Sequence, residues 1–166
     1  CLMAARCGGD WPRSSIRRSL EHLDEVERLA PHFGKVYTLK ATAHYFLGMS
    51  GYAPSMASFS ASRREGRRAL RDDETDPGAH TVLGWIAMAF EWDWGESLYR
   101  FERAMALNPS NHFVYSGLAF LHALSGRMDE ALTVAEQGVE VDPNNPPTHH
   151  NFGQMQFFRR EYDDAL

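Results

Sequence analysis

The phrases "ALNP" and "EVDP" end at Pro109 and Pro143, 34 residues apart. Between the prolines, Tyr115, Leu118, Ala119 and His122 are followed by Ala131 and Ala135. A further step of 34 meets His149, Phe152, Gly153 and Ala165; a step back, with one extra residue in the turn, meets His80, Leu83, Gly84, Ser97, Phe101 and Ala104. A period of this length, with these residue sizes at these offsets, belongs to stacked helix–turn–helix units. One such hairpin cannot bury its own apolar face, so each must lie against the next. The predicted fold is all-α: a right-handed α-α superhelix, or solenoid, of two-helix repeats.

The small residues in the period have a physical role. Gly84, Ala119 and Gly153 on the first helix (A) let the second helix (B) cross closely, with Ala131 and Ala165 facing them. Ala104 and Gly138, in the last turn of helix B, let the next unit approach; larger side chains there would exceed the usual 8–10 Å helix separation. Asp76–Pro77 and Asn145–Pro146 put a side-chain acceptor at an N-cap and proline at the first helical position. Gly126 suits a left-handed C-terminal residue, and Asp129 and Glu130 suit the positive end of the following helix.

Earlier in the chain the pattern loosens. "EHLDEVERLAPHF" reads as a helix B with Ile16, Leu20, Leu23 and Val26 on one side, closed by Pro31. "GKVYTLKATAHYFLG" supplies a helix A with Tyr37, Ala41 and His44, and Lys40 is expected to lay its stem along the core while its amine reaches water. "SASRREGRRALRDD" is its partner, with Ala69 and Leu70 on the packed face, after a nine-residue insertion around 48–57. Helices are predicted at 1–9, 14–29, 33–47, 55–72, 77–90, 95–107, 112–124, 129–141 and 146–158, with a further start at 163. The whole chain, 1–166, reads as one repeat domain: a partial repeat at 1–33, repeats at 34–76, 77–111 and 112–145, and a partial repeat at 146–166. The missing initial Met and the "DDAL" ending suggest an excerpt from a longer protein.

Composition narrows the function classes. A net charge of −5 lacks the basic excess of a phosphate-binding surface, so no nucleic-acid partner is expected. No apolar run approaches the roughly 20 residues that span a bilayer, so no membrane partner is expected either. Cys1 and Cys7 would lie on different faces of a helix, which argues for reduced thiols and a cytoplasmic location.

These repeats resemble the tetratricopeptide repeat family over most of the chain, most specifically in 77–166. "FEWDWGESLYRFERAMALNP" followed by "LHALSGRMDEAL" is similar to repeats appended to bacterial multidomain regulators such as winged-helix regulators, adenylate cyclases and protein kinases. The resemblance implies a non-enzymatic interaction scaffold whose A helices line a concave groove for a peptide or partner segment. The alternative is a sensory segment of a bacterial signalling enzyme or transcription regulator, acting by ligand binding or self-association. Carrying the family's groove positions over places Thr38, Thr42, Tyr45, Trp85, Met88, Phe113, Phe120 and Phe157 on that face. Trp85, Phe120 and Phe157 would form a stripe across three repeats, either as binding anchors or as packing between repeats. The cationic clamp by which some family members hold C-terminal carboxylates is missing; its positions hold Thr38, Thr42, Val82, Phe113 and Gly117, so chaperone tails of that kind are not expected to bind.

The remaining motifs have structural readings. "WDW" at 92–94, with Glu91 and Glu96 nearby, is expected to be an inter-helix turn with its tryptophans wedged between hairpins rather than an acid–base pair. His149 and His150 point about 100° apart on a helix and cannot easily share one ion. His80, His149 and His44 fill aromatic slots in the core, and no metal or cofactor is expected. "RREGRR" at 63–68 reads as a solvated face. An uncovered last helix A (Phe152, Met155, Phe158) makes a homo-oligomer through the C-terminal helices a fair expectation.

Overall fold

The computed structural model describes residues 13–30 and 33–160. The readings at 1–9, Cys1, Cys7, Pro31, Ala165 and the helix start at 163 lie outside them. Eight α-helices follow one another: α1 (Arg13–Leu29), α2 (Lys35–Met49), α3 (Ser55–Asp72), α4 (Pro77–Ile86), α5 (Trp94–Leu107), α6 (His112–Leu124), α7 (Met128–Val141) and α8 (Pro146–Arg159). The described residues contain no strand. α2/α3, α4/α5 and α6/α7 form antiparallel hairpins, and α1 packs on α2. The A helices α2, α4, α6 and α8 also touch in series, whereas α3, α5 and α7 meet one another at most sparsely. A solenoid whose A row is continuous and whose B row is splayed curves with the A helices on its inner side.

The expected small-residue contacts are where the packing is tightest. The Phe101 ring on α5 is fully buried between Gly84 of α4 and Gly117 of α6. A Cβ on Gly84 would come within 2.7 Å of that ring, and one on Gly117 would collide with it too. Gly138 of α7, expected to admit the next repeat, instead lies under Tyr115 of α6 in its own hairpin, leaving 3.0 Å to the Tyr115 Cβ. Ala119, Ala131, Ala135 and Met155 close the next core. Met155 is fully buried there, so the uncovered face expected on α8 shrinks to its outer rings.

The first slot of helix A carries a recurrent hydrogen bond. The Tyr115 hydroxyl donates to the Pro109 carbonyl at 3.0 Å, His80 Nε2 lies 3.0 Å from the Glu74 carbonyl, and His149 Nε2 lies 2.8 Å from the Pro143 carbonyl. In each case the partner stands six residues earlier, in the loop where the previous repeat ends. His80 is buried with Nε2 as donor, so Nδ1 is free to accept from Arg100 at 3.2 Å. His149 makes the same bond while exposed, which corrects its assignment to the core, and His44 is half-buried.

Caps follow the proline pattern with one exception. Asp76 accepts from the Gly78 and Ala79 N–H groups at 2.8 and 3.0 Å. Asn145 makes no side-chain cap; its amide donates to Asp142 instead. Gly126 adopts φ +75° as expected. The helix predicted to continue to residue 90 stops at Ile86 and widens into a π-helical turn, Ala87–Glu91. A π turn holds one more residue than an α turn, and this is how the 35-residue repeat absorbs its extra residue.

Charged side chains join α1, α2 and α3, against two expectations. The Lys40 amine does not reach water: it is buried, 2.5 Å from Asp24 and in an ion pair with Glu27. Burial pulls its proton affinity down, but the bonds to Asp24 and Glu27 outweigh this and raise it. "RREGRR" is not simply a solvated face either. Arg68 bridges Glu27 and Glu65 at 2.7 and 3.2 Å and stacks over Tyr37, 4.1 Å from its centroid, while Arg63 reaches Glu91 at 2.5 Å.

Two outcomes follow. Phe101 cannot retreat from one glycine without striking the other, so Gly84→Ala should destabilise the fold by about 1–3 kcal/mol in denaturant titrations, with Phe101→Leu in the same chain recovering part of the loss. Burial also lowers the proton affinity of His44, His80, His112 and His122. The unfolded chain therefore binds more protons below about pH 6.5. Stability should be full above that pH and fall on acidification, and His80→Tyr, the residue Tyr115 provides one repeat later, should flatten the decline of Tm between pH 7.5 and 5.

Candidate peptide-binding face

The inner face is the A-helix row, and its floor is aromatic. Trp85 of α4 stacks on Phe113 of α6 with centroids 5.0 Å apart and planes at 23°. Phe113 also stacks on Phe46 of α2 at 6.0 Å and meets Tyr45 edge-on at 6.4 Å. Tyr45 and Phe120 each lie 6.1 Å from Trp85, and Phe101 meets the indole edge-on from beneath at 5.8 Å. One cluster thus joins three successive A helices. Each such pair adds about 0.5–1.5 kcal/mol beyond area burial, so the floor is held rigidly before any partner arrives.

The eight groove residues divide by depth. Thr38, Tyr45, Trp85 and Met88 are buried. The Thr38 hydroxyl donates to Asp76 Oδ2 at 2.7 Å, and the half-buried Thr42 donates to the Thr38 carbonyl at 2.9 Å, so both hydroxyls are already committed. Burial pushes the Tyr45 phenol upward, keeping it protonated. Phe113 and Phe120 are half-buried, while Phe157 is 58% exposed and meets Phe158 at 6.3 Å. Leu39 and Leu124, both exposed, extend the apolar surface.

Polar bonds between repeats line the same face. Asn111, the N-cap of α6, donates from its amide to the Thr81 hydroxyl at 3.1 Å, and Asn151 of α8 donates to the Ser116 hydroxyl at 2.5 Å. With Thr38–Asp76 this makes one device, used three times. A hydroxyl at the fifth position of helix A meets a polar side chain near the start of the next helix A. Of its three polar partners only the Asp76 cap was readable in the sequence; the bonds between repeats needed the distance between helices. Lys35, the first residue of α2, lies 3.8 Å from Asp76.

The WDW turn departs from the expectation of wedged tryptophans. Trp92 is 73% exposed and Trp94 40%. Glu91 pairs with Arg63, Glu96 with Arg100 at 2.6 Å, and Asp93 caps α5 by accepting from the Glu96 N–H at 3.0 Å. The three carboxylates are thus separately engaged. A cleft of about 530 Å³ on the helix-B side is lined by Leu70, Glu74, His80, Tyr99, Arg100 and Arg103. Among the described residues no three His, Cys, Asp or Glu side chains gather so as to hold a metal ion, and no helix is long and apolar enough to cross a membrane.

Residues 93–152 match the family model described as tetratricopeptide repeat. Among curated proteins the chain is similar to the Hsp70-Hsp90 organizing protein of Triticum aestivum, 30% identical over 97 residues that make up 58% of this chain. It is also similar to Hsp70-Hsp90 organizing protein 3 of Arabidopsis thaliana, 32% identical over 76 residues, 46% of this chain. The matches span only 16% and 14% of those two proteins. Among solved structures, the type IV pilus biogenesis factor PilW aligns with a TM-score of 0.72 at 15% identity, covering 92% of this chain and 66% of that one. YrrB, described as a TPR protein with an unusual peptide-binding site, aligns with a TM-score of 0.57 at 20% identity, covering 92% and 74%.

Proposed function

We propose that this chain, which belongs to the tetratricopeptide repeat family, holds an apolar segment of a partner protein along its inner face. The observation that carries the reading is the aromatic floor: Tyr45, Trp85 and Met88 are buried and fixed, and Phe113 and Phe120 are half-buried beside them. Anchors that are rigid before binding lose little side-chain entropy on association, and a desolvated aromatic centre is where interface energy concentrates. Phe157 and Leu124 extend the contact toward α8. Thr38 and Thr42 serve as inner-wall residues, because their hydroxyls are taken up within the chain.

The names of the plant relatives associate them with Hsp70 and Hsp90. This chain lacks the cations that a C-terminal carboxylate requires: Thr38, Thr42, Val82, Phe113 and Gly117 stand at the clamp positions. The partner is therefore an internal apolar stretch rather than a chain end. The exposed Phe157 and Phe158 offer α8 as a self-association surface by the same chemistry. The role is that of a scaffold with no chemistry of its own, as is typical of the family.

Selection of a random twelve-residue peptide library against the purified chain should return sequences rich in Leu, Ile and Phe, without a preference for a free carboxyl end. Phe120→Ser should weaken the best of them at least tenfold, while Thr42→Ser should leave it unchanged. Peptides that keep full affinity for the Phe120 variant would place the contact elsewhere. Light scattering across micromolar concentrations should show a mass increase that Phe157→Ser with Phe158→Ser removes.

A further inference from the structure

The turn that joins each A helix to its B helix needs one residue with left-handed backbone, and four of these are visible: Gly51 (φ 67°), Trp92 (φ 57°), Gly126 (φ 75°) and Arg160 (φ 70°). Trp92, Gly126 and Arg160 are spaced by 34 residues, so they are one structural position in successive repeats. Glycine is the residue this position favours, since a side chain there crowds the backbone. Trp92 accepts that strain with the bulkiest side chain available. It recovers little packing in return, because the residue is 73% exposed. Directly before it lies the π-helical turn, Ala87–Glu91, of a kind frequent at functional sites. Backbone strain kept with little structural return points to a task outside the fold.

The neighbours say what the task is. Trp94, 40% exposed, stands two residues on, and the two indoles flank Asp93. Asp93 Oδ1 is used in capping α5, and among the described residues no basic side chain comes within ion-pairing distance of its carboxylate. The nearby acids differ, Glu91 being matched by Arg63 and Glu96 by Arg100. The ring contacts with cations involve Tyr37 and Tyr99, not either indole. Two exposed indoles next in sequence to a carboxylate without an ion-pair partner among the described residues suit a guanidinium or alkylammonium group, which gains from both. We propose that the Trp92–Asp93–Trp94 turn is a second partner-binding site, which takes an arginine or lysine side chain presented by another protein. It stands on the turn edge of the solenoid, apart from the inner face, and does not depend on the reading of that face.

Thermal unfolding of the intact chain tests the strain, and indole NMR tests the ligand. Trp92→Gly and Trp92→Asn should each raise Tm, the glycine by about 2–4 °C, because both remove strain and neither removes much packing. In a ¹⁵N-labelled chain, an octapeptide alternating leucine and arginine should shift the indole N–H resonances of Trp92 and Trp94 and leave the buried Trp85 in place. The octapeptide with glutamate for arginine should not. Asp93→Asn should weaken the arginine peptide by about fivefold. The proposal is overturned if both Trp92 variants leave Tm unchanged or lower, if the two peptides shift the indoles alike, or if neither does so at millimolar concentration. It is also overturned if the chain alone shows a concentration-dependent mass that Trp92→Gly abolishes, since a second copy would then be the occupant.

Discussion

One phenyl ring sets how closely successive repeats can lie. Phe101 projects from α5 into a slot floored by Gly84 on one side and Gly117 on the other, and Trp85 closes it edge-on. The ring therefore belongs to the helix A of its own repeat and to that of the next at once. Widening either glycine by a single carbon would push α4 and α6 apart. The inner face depends on this, because the stacking of Trp85 on Phe113 spans the same two helices. Removing a methyl's width of clearance beneath the floor would thus be felt on the inner face above it.

Polar chemistry reinforces the spacing and repeats along with it. The bond from the first slot of helix A to a carbonyl six residues earlier fastens each hairpin to the loop that precedes it. Tyr115, His80 and His149 perform it with different rings. The hydroxyls of Thr38, Thr81 and Ser116 fasten each helix A to the one after. At the front, Lys40 and Arg68 draw Asp24, Glu27 and Glu65 into one network across three helices. Such a network replaces the apolar contact that α1 supplies only through Ile16, Leu20 and Leu23.

Helix positions and tight contacts were legible because they rest on size and period alone. Gly84, Ala119 and Ala131 could be assigned from their offsets, since only small side chains allow the crossing. What the sequence concealed depends on neighbours brought in by the fold. Lys40 was placed with its amine in water, because nothing local shows that Asp24 and Glu27 stand across from it. The π turn was hidden because an extra residue can be absorbed as a loop, a bulge or a wider turn, and composition does not choose among them. At the expected groove positions, the family offsets could not show that Thr38 and Thr42 are spent on internal bonds. His149 shows the opposite limit: its slot is the one His80 fills, yet His80 is buried beside Arg100 of α5 while His149 is exposed, so the slot alone does not fix burial.

The contrast between the two rows of helices has a mechanical consequence. Each B helix meets the A helix of the following repeat (α3 with α4, α5 with α6, α7 with α8) more extensively than successive A helices meet one another, while α3, α5 and α7 stand apart. Bending the coil therefore has to turn each hairpin about the seam between its B helix and the next A helix, and the gaps of the outer row leave room for that turn. The molecule behaves as a hinged stack, each leaf swinging on the edge it shares with the next.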